Sequence, residues 1–255
     1  MENHEMITLG VKQKVFPQFL NKYRSNSAFT KRIITASELY FCNPLEFNDP
    51  YDCNTPINRE TPLEDVKNWL KLFAKADDAV IDELATRIQN DPSFMEKETK
   101  KTIAKTGICC FSTLDDSILQ WSHYSEYHRG MCFKFDITQD TEFFYNPLIV
   151  HYKNVMQHYN HFSHRDKIVE YLVQAKFSDW SYESEVRVVK PEIGETNRLL
   201  KFKDPALLEI IFGTNTPLAV MEEYMELCRK HKPHIRFFKM KLSSGLHYGL
   251  EKHAL

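Results

Sequence analysis

Seven glycines and eleven prolines in 255 residues are too few for a low-complexity or disordered chain. No apolar run approaches the roughly 20 residues that a membrane helix needs. The start, Met1-Glu2-Asn3-His4-Glu5-Met6, is polar and acidic rather than signal-like, so a cytoplasmic protein is expected with no membrane partner. A positive field is missing too. The formal net charge of -2 argues against sequence-blind binding to nucleic acid, although Lys97, Lys100, Lys101 and Lys105, and the stretch Arg229 to Lys241, form local basic clusters that could guide a polyanion. The six cysteines include no C-x-x-C pair, and His123 and His128 are five apart, off helical register. Free core cysteines and no metal are therefore expected.

What remains is a chain with 42% hydrophobic residues, able to bury a sizeable core as a single domain over residues 1–255. Phe16 to Tyr23 is an apolar opening segment, and Glu38 to Cys42 has the pattern of a strand. That strand ends at Asn43-Pro44, and Leu45 to Asp52 is a rigid, turn-rich loop dense in aromatic, carboxamide and carboxylate groups. From Thr61-Pro62 to about Lys105, apolar residues recur at helical spacing, which predicts a helical insert of two or three helices, with Thr61 able to cap the first. Strands are expected at Gly107–Ser112, Met131–Asp136, Leu148–Lys153, Leu208–Phe212 and Ile235–Leu242. Helices are expected after Asp115, ending at Gly130 as a glycine cap, near Arg165 to Phe177, and from Pro217 to His231, with Thr216 as cap. The irregular mixture predicts an α+β fold.

Tyr182 to Val189 carries the densest chemical pattern. As a strand it would place Glu183, Glu185 and Arg187 on one face and Tyr182, Ser184, Val186 and Val188 on the other. Two carboxylates so close are suited to stabilising a developing cation and to moving a proton. A charged strand face in solvent is the plain alternative. Tyr40, Phe47, Trp121 and Tyr124 are candidates to stack on a ring, and His123 to shuttle a proton. Asn48 and Asp49 could hold hydroxyls or simply fix their own turn.

The stretches Lys22-Tyr23-Arg24, Leu39-Tyr40-Phe41 with Pro44, Phe47-Asn48-Asp49-Pro50, Cys110-Phe111-Ser112, Trp121-Ser122-His123-Tyr124 with Gly130, and Trp180 to Arg187 together resemble the bacterial domain of unknown function 2971. That resemblance implies a setting among toxin-like and antiphage-defence proteins, with an antitoxin or other restraining partner, but no reaction. The order of parts is also similar to ADP-ribosyltransferases, which implies split, twisted small sheets around a cleft for NAD+. On that likeness Tyr23 or Arg24, Tyr40 and Arg187 contact the dinucleotide. Glu185 is the catalytic acid on that likeness, and Glu183, two residues earlier, would orient or deprotonate the macromolecular acceptor, protein or nucleic acid. No Ser-Thr-Ser triplet follows the second strand. Two other classes stay open: a metal-dependent nuclease using Asp49, Asp52, Glu183 and Glu185, and a recognition module for a nucleotide or a protein without catalysis.

Overall fold

Short apolar runs bounded by turn residues become strands where both faces can be covered. In chain order these are β1 (Phe19–Arg24), β2 (Glu38–Tyr40), β3 (Gly107–Ser112), β4 (Met131–Asp136), β5 (Leu148–Ile149) and β6 (His151–Lys153). They continue with β7 (Ala175–Phe177), β8 (Glu185–Lys190), β9 (Leu199–Lys201), β10 (Leu207–Phe212), β11 (Arg236–Leu242) and β12 (Leu250–Ala254). The α-helices are α1 (Asn3–Lys12), α2 (Ala28–Thr35), α3 (Leu63–Lys71), α4 (Asp78–Asn90), α5 (Phe94–Lys105), α6 (Ile118–Tyr124) and α7 (Leu218–His231). This computed structural model describes residues 3–54, 56, 61–91, 93–164, 167–194 and 196–255.

The fold is α+β, built on one mixed sheet of eight strands in the order β12-β11-β10-β4-β1-β3-β8-β5. Two-stranded ribbons, β2 with β9 and β6 with β7, stand beside it. Alternation along β4 sends Phe133 and Phe135 to a core that also takes Ile7 of α1, Ile33 and Ile34 of α2 and Met221 and Tyr224 of α7. Cys132 faces the other way, into a cluster with Tyr23, Trp121, Ile211 and Met240 under α6.

In place of an expected pair of split small sheets there is one eight-stranded sheet with two small ribbons beside it, and the large sheet has a weak seam. Strand β1 matches β4 along its full length, Phe19 opposite Asp136 through Arg24 opposite Met131. Against β3 it shares one register pair, Asn21 opposite Ser112. Beyond that rung the strands part, and Cys42 takes the freed edge of β3 by exchanging two backbone bonds with Ile108. Lys22 closes the wedge, its ammonium donating to the Cys110 carbonyl at 2.6 Å.

Several local expectations change. The Tyr182–Val189 strand begins only at Glu185: residues Ser178–Glu183 form a 3₁₀ segment, and Ser184 sits at φ 43°, ψ 53° between the two. Arg165, the expected start of a helix, lies outside the described residues, and that helix shrinks to a π-helical turn at Glu170–Gln174, after which Ala175–Phe177 is a strand. Leu148–Lys153 divides into β5 and β6, while α1 and β12 had no sequence signal strong enough to find them. The helical insert is present as α3, α4 and α5.

Neither predicted threonine caps its helix. Thr61 accepts from Asn160, and Thr216 donates to the Gly130 carbonyl. Gly130 is not a helix cap either, because α6 ends at Tyr124 and the left-handed residues that follow are Glu126, Tyr127 and His128. Gly130 is required for a different reason: a Cβ there would lie 2.1 Å from the Arg24 carbonyl oxygen at the end of β1.

Candidate functional site

The parting of β1 and β3 opens a cavity of about 210 Å³. Asn21, Lys22, Tyr23 and Arg24 form one wall, and Cys110, Phe111 and Ser112 of β3 line the other. Phe47, Asn48 and Asp52 arrive from the turn-rich loop, Gln120 and Tyr124 from α6, and Lys176, Glu183 and Glu185 line it as well.

The two glutamates meet at one cation, but not by strand alternation, because only Glu185 is on the strand. Ser184 in the left-handed region turns the chain so that Glu183 meets the same partner. That partner is Lys176, whose ammonium lies 2.5 Å from Glu183, 2.9 Å from Glu185 and 3.5 Å from Asp52. It also sits over the Trp180 ring, 5.2 Å from the centroid. Behind it Arg187, fully buried, makes parallel bonds of 2.8 and 2.6 Å to the Asp52 carboxylate, and donates to Glu185 at 2.8 and 3.1 Å and to the Val173 carbonyl at 2.8 Å. The alternative of a charged face in solvent is overturned: these groups form an interior ion cluster, with Glu183 and Glu185 about 5% and 4% exposed. Such groups persist only when each charge is paired and hydrogen-bonded.

Ser112 and Gln120 fix Glu183 through its backbone. Ser112 donates to the Glu183 carbonyl at 2.7 Å, and the Gln120 amide donates to the same carbonyl at 3.2 Å and to Ser112 at 2.9 Å. One Glu183 carboxylate oxygen accepts from the Tyr124 hydroxyl and the other from Lys176. The backbone N–H of Glu185 donates to the Tyr152 hydroxyl at 2.9 Å.

These surroundings drive the two carboxyls in opposite directions. Burial raises Glu183 above the usual carboxylate range, aided by the Glu185 charge and opposed by Lys176. Burial acts on Glu185 too, but the Arg187 and Lys176 cations outweigh it and hold that group well below the usual range. Desolvation works against the Lys176 ammonium, but Glu185, Asp52 and Glu183 outweigh it and hold the group well above its usual value. Burial and then the Glu183 carboxylate push the Tyr124 hydroxyl far up, so it remains a donor. Within the cluster Asp52, Glu183 and Glu185 share Lys176 and Arg187, Lys22 and Arg24 stand on the opposite wall of the cavity, and Glu183 is the carboxylate whose ionisation is least favoured.

Of the sequence candidates, the cavity gathers Glu183, Glu185, Tyr23, Arg24, Phe47, Asn48 and Tyr124. The others have different places. Trp121 is wholly buried, edge-on to Tyr23 at 5.2 Å, with its ring N–H donating to the Asp115 carbonyl, so it is core and cannot stack on a ligand. Tyr40 lines a neighbouring groove with Phe29 and Leu199. His123 does not line the cavity, and its Nδ1 is 2.9 Å from the Tyr182 hydroxyl. Asp49 accepts from the Tyr51 N–H at 2.9 Å, fixing its own turn. Arg187 lies behind the cavity wall rather than in it.

Lys176 was missed because its stretch read as helix, where its approach to both glutamates is not legible. Asp52 was singled out only as a metal ligand. The oxygens of Asp52, Glu183 and Glu185 are already shared between two cations, and among the described residues no group of His, Cys, Asp and Glu is arranged to hold a metal ion. Members of the basic clusters are paired with nearby acids: Lys97, Lys100 and Lys101 with Asp91, Glu96 and Glu98, and Arg229 and Arg236 with Glu226 and Glu209.

No curated protein and no solved structure matches this chain. Residues 120–188 match the model of a family described as protein of unknown function, DUF2971, and this segment runs from Gln120 through Tyr124, Lys176, Glu183 and Glu185 to the end of the Arg187 site.

Proposed function

We propose that this protein cleaves the N-glycosidic bond of NAD+ and transfers ADP-ribose to an acceptor. The observation that carries this reading is the pair of buried carboxyls driven apart in acidity at the floor of the cavity. Paired groups whose environments separate their pKa values mark divided acid–base roles. Glu185, held ionised, faces the carbon where positive charge grows. The bond from that carbon to the nicotinamide nitrogen breaks with its electron pair on nitrogen, so the leaving group departs neutral and needs no proton. The acceptor then bonds to the same carbon, and its proton passes to the Glu183 carboxylate. Tyr124, donating to Glu183, orients that carboxylate. The ionised Glu185 carboxylate at the cavity favours the cationic transition state.

The test is nicotinamide release from NAD+ by purified protein with a cell lysate, following labelled ADP-ribose on macromolecules. Glu183→Gln is expected to lower kcat by about 10²–10⁴ with little change in KM, the range for loss of a general base. A wild-type protein that releases no nicotinamide under these conditions overturns the proposal.

A second reading has its own support. Both Glu185 oxygens are occupied, one by Arg187 and the other by Arg187 and Lys176, which suits a cluster that shapes a recognition pocket without chemistry. It predicts NAD+ recovered unchanged after long incubation, with binding weakened little by Glu183→Gln.

A further inference from the structure

Arg24 stands at the end of β1 and lines two spaces: the carboxylate cavity and a groove of about 390 Å³ between α2 and β2. The groove falls in the roughly 300–1,000 Å³ range of small-molecule sites. Its apolar floor is made by Ile33, Leu39 and Leu199, and its rim carries Phe29 and Tyr40, 71% and 37% exposed. The walls are firmly placed. Ser27 caps α2 by accepting from the Thr30 N–H at 3.1 Å, and Tyr40 is held opposite Leu199 in the β2–β9 ribbon. Among the described residues Arg24 has no ion-pair partner, although it borders a cluster of carboxylates.

We infer that this groove seats the base of a nucleotide whose phosphate is held by Arg24. An unpaired guanidinium presents a fork that matches phosphate oxygens, and exposed aromatic rings over an apolar floor suit the face of a base. At the cavity on the far side, Lys176 and, behind its wall, Arg187 are committed to carboxylates and Lys22 to the Cys110 carbonyl, so the anion rests at Arg24 and the rest of the molecule extends either way. In combination with the proposed function, the adenylate half of NAD+ takes the groove and the nicotinamide ribosyl half takes the carboxylate cavity. The groove inference rests on that reading only for what lies beyond the phosphate.

The experiment is binding of ADP, measured by calorimetry, to the wild-type protein, Phe29→Ala and Arg24→Gln. Phe29 is exposed and its removal leaves the core intact. Wild type is expected to bind ADP, Phe29→Ala about tenfold or more weakly, as for loss of a stacking ring, and Arg24→Gln more weakly still with a reduced salt dependence. No binding of ADP by wild type, or equal affinity in wild type and Phe29→Ala, overturns the inference. Nicotinamide release is read separately: ADP binding with no release leaves the groove standing and removes the catalytic reading, whereas release without ADP binding does the reverse.

Discussion

Arg187 holds Asp52 through two parallel bonds of 2.8 and 2.6 Å, across 135 residues of sequence. The pair ties the turn-rich loop to strand β8 and so sets the wall against which Lys176 and the two glutamates assemble.

Replacing Arg187 with Leu removes a fully buried cation and leaves Asp52 and Glu185 facing each other with only Lys176 between them. A loss of roughly 3–5 kcal/mol is expected, the range for breaking a buried ion pair from one side. Urea unfolding followed by circular dichroism measures it. A change below 1 kcal/mol would mean that the cluster is hydrated in solution.

The two glutamates differ in what their charge does for the fold. Glu185 has a folded pKa below its unfolded value, so its ionisation stabilises above the ordinary carboxylate range near ~4.3 and that stability is lost as pH falls through the folded value. Glu183 has the opposite sign: the folded state keeps its proton longer, and stability declines as pH rises from that same range through its raised value. Glu183→Gln should therefore flatten the decline on the neutral side, and Glu185→Gln the loss on the acid side. Urea midpoints from acid to neutral pH decide the matter. Identical profiles for both variants would contradict the opposed shifts.

Much of this site was legible in the chain itself. The spacing of Glu185 and Arg187 on one strand face holds, whereas Glu183 meets the same cluster only through the left-handed turn at Ser184; Phe47, Asn48 and Tyr124 come to the cavity from the segments whose composition marked them. What failed did so for physical reasons. Period-two alternation says which side chains agree in direction but not whether water or protein covers them, so a face that reads as solvated turned out buried. Lys176 pairs across a parallel ribbon, His151 opposite Ala175 through Lys153 opposite Phe177, and no local pattern announces such a pairing. Trp121 and Tyr124 are three residues apart on one short helix, yet the first is core and the second cavity wall, a distinction set by what packs on α6.

Trp121 offers a direct check of that distinction. Trp121→Ala should cost about 3–5 kcal/mol, as expected for emptying a core position of that size. Trp121→Phe should keep much of the stability while losing the bond to the Asp115 carbonyl, and leave ADP affinity within about twofold. Calorimetry on Trp121→Phe measures this; a tenfold loss of affinity would return Trp121 to the binding site.

Gly130 tests the frame around Arg24. Gly130→Ala forces a methyl group toward a carbonyl oxygen 2.1 Å away, so the end of β1 must shift, at a cost of about 1–3 kcal/mol for overpacking. Thermal unfolding would record the loss, and a weaker ADP affinity in the same variant would show that Arg24 moved with the strand. A variant as stable as wild type would rule out the close approach.

The single rung between Asn21 and Ser112 also has a meaning for how the molecule breathes. A sheet is as cooperative as its poorest junction, and here strands β3, β8 and β5 are tied to the remaining strands by one pair and by the side chains that bridge the wedge, Lys22 among them. Amide protons flanking that junction are expected to exchange by a local opening well below the free energy of global unfolding, while those inside β4 wait for the whole fold to come apart. The mouth of the cavity is thus the sheet's own line of weakness, and a ligand seated there would act as a second rung, slowing exchange on both sides of the seam at once.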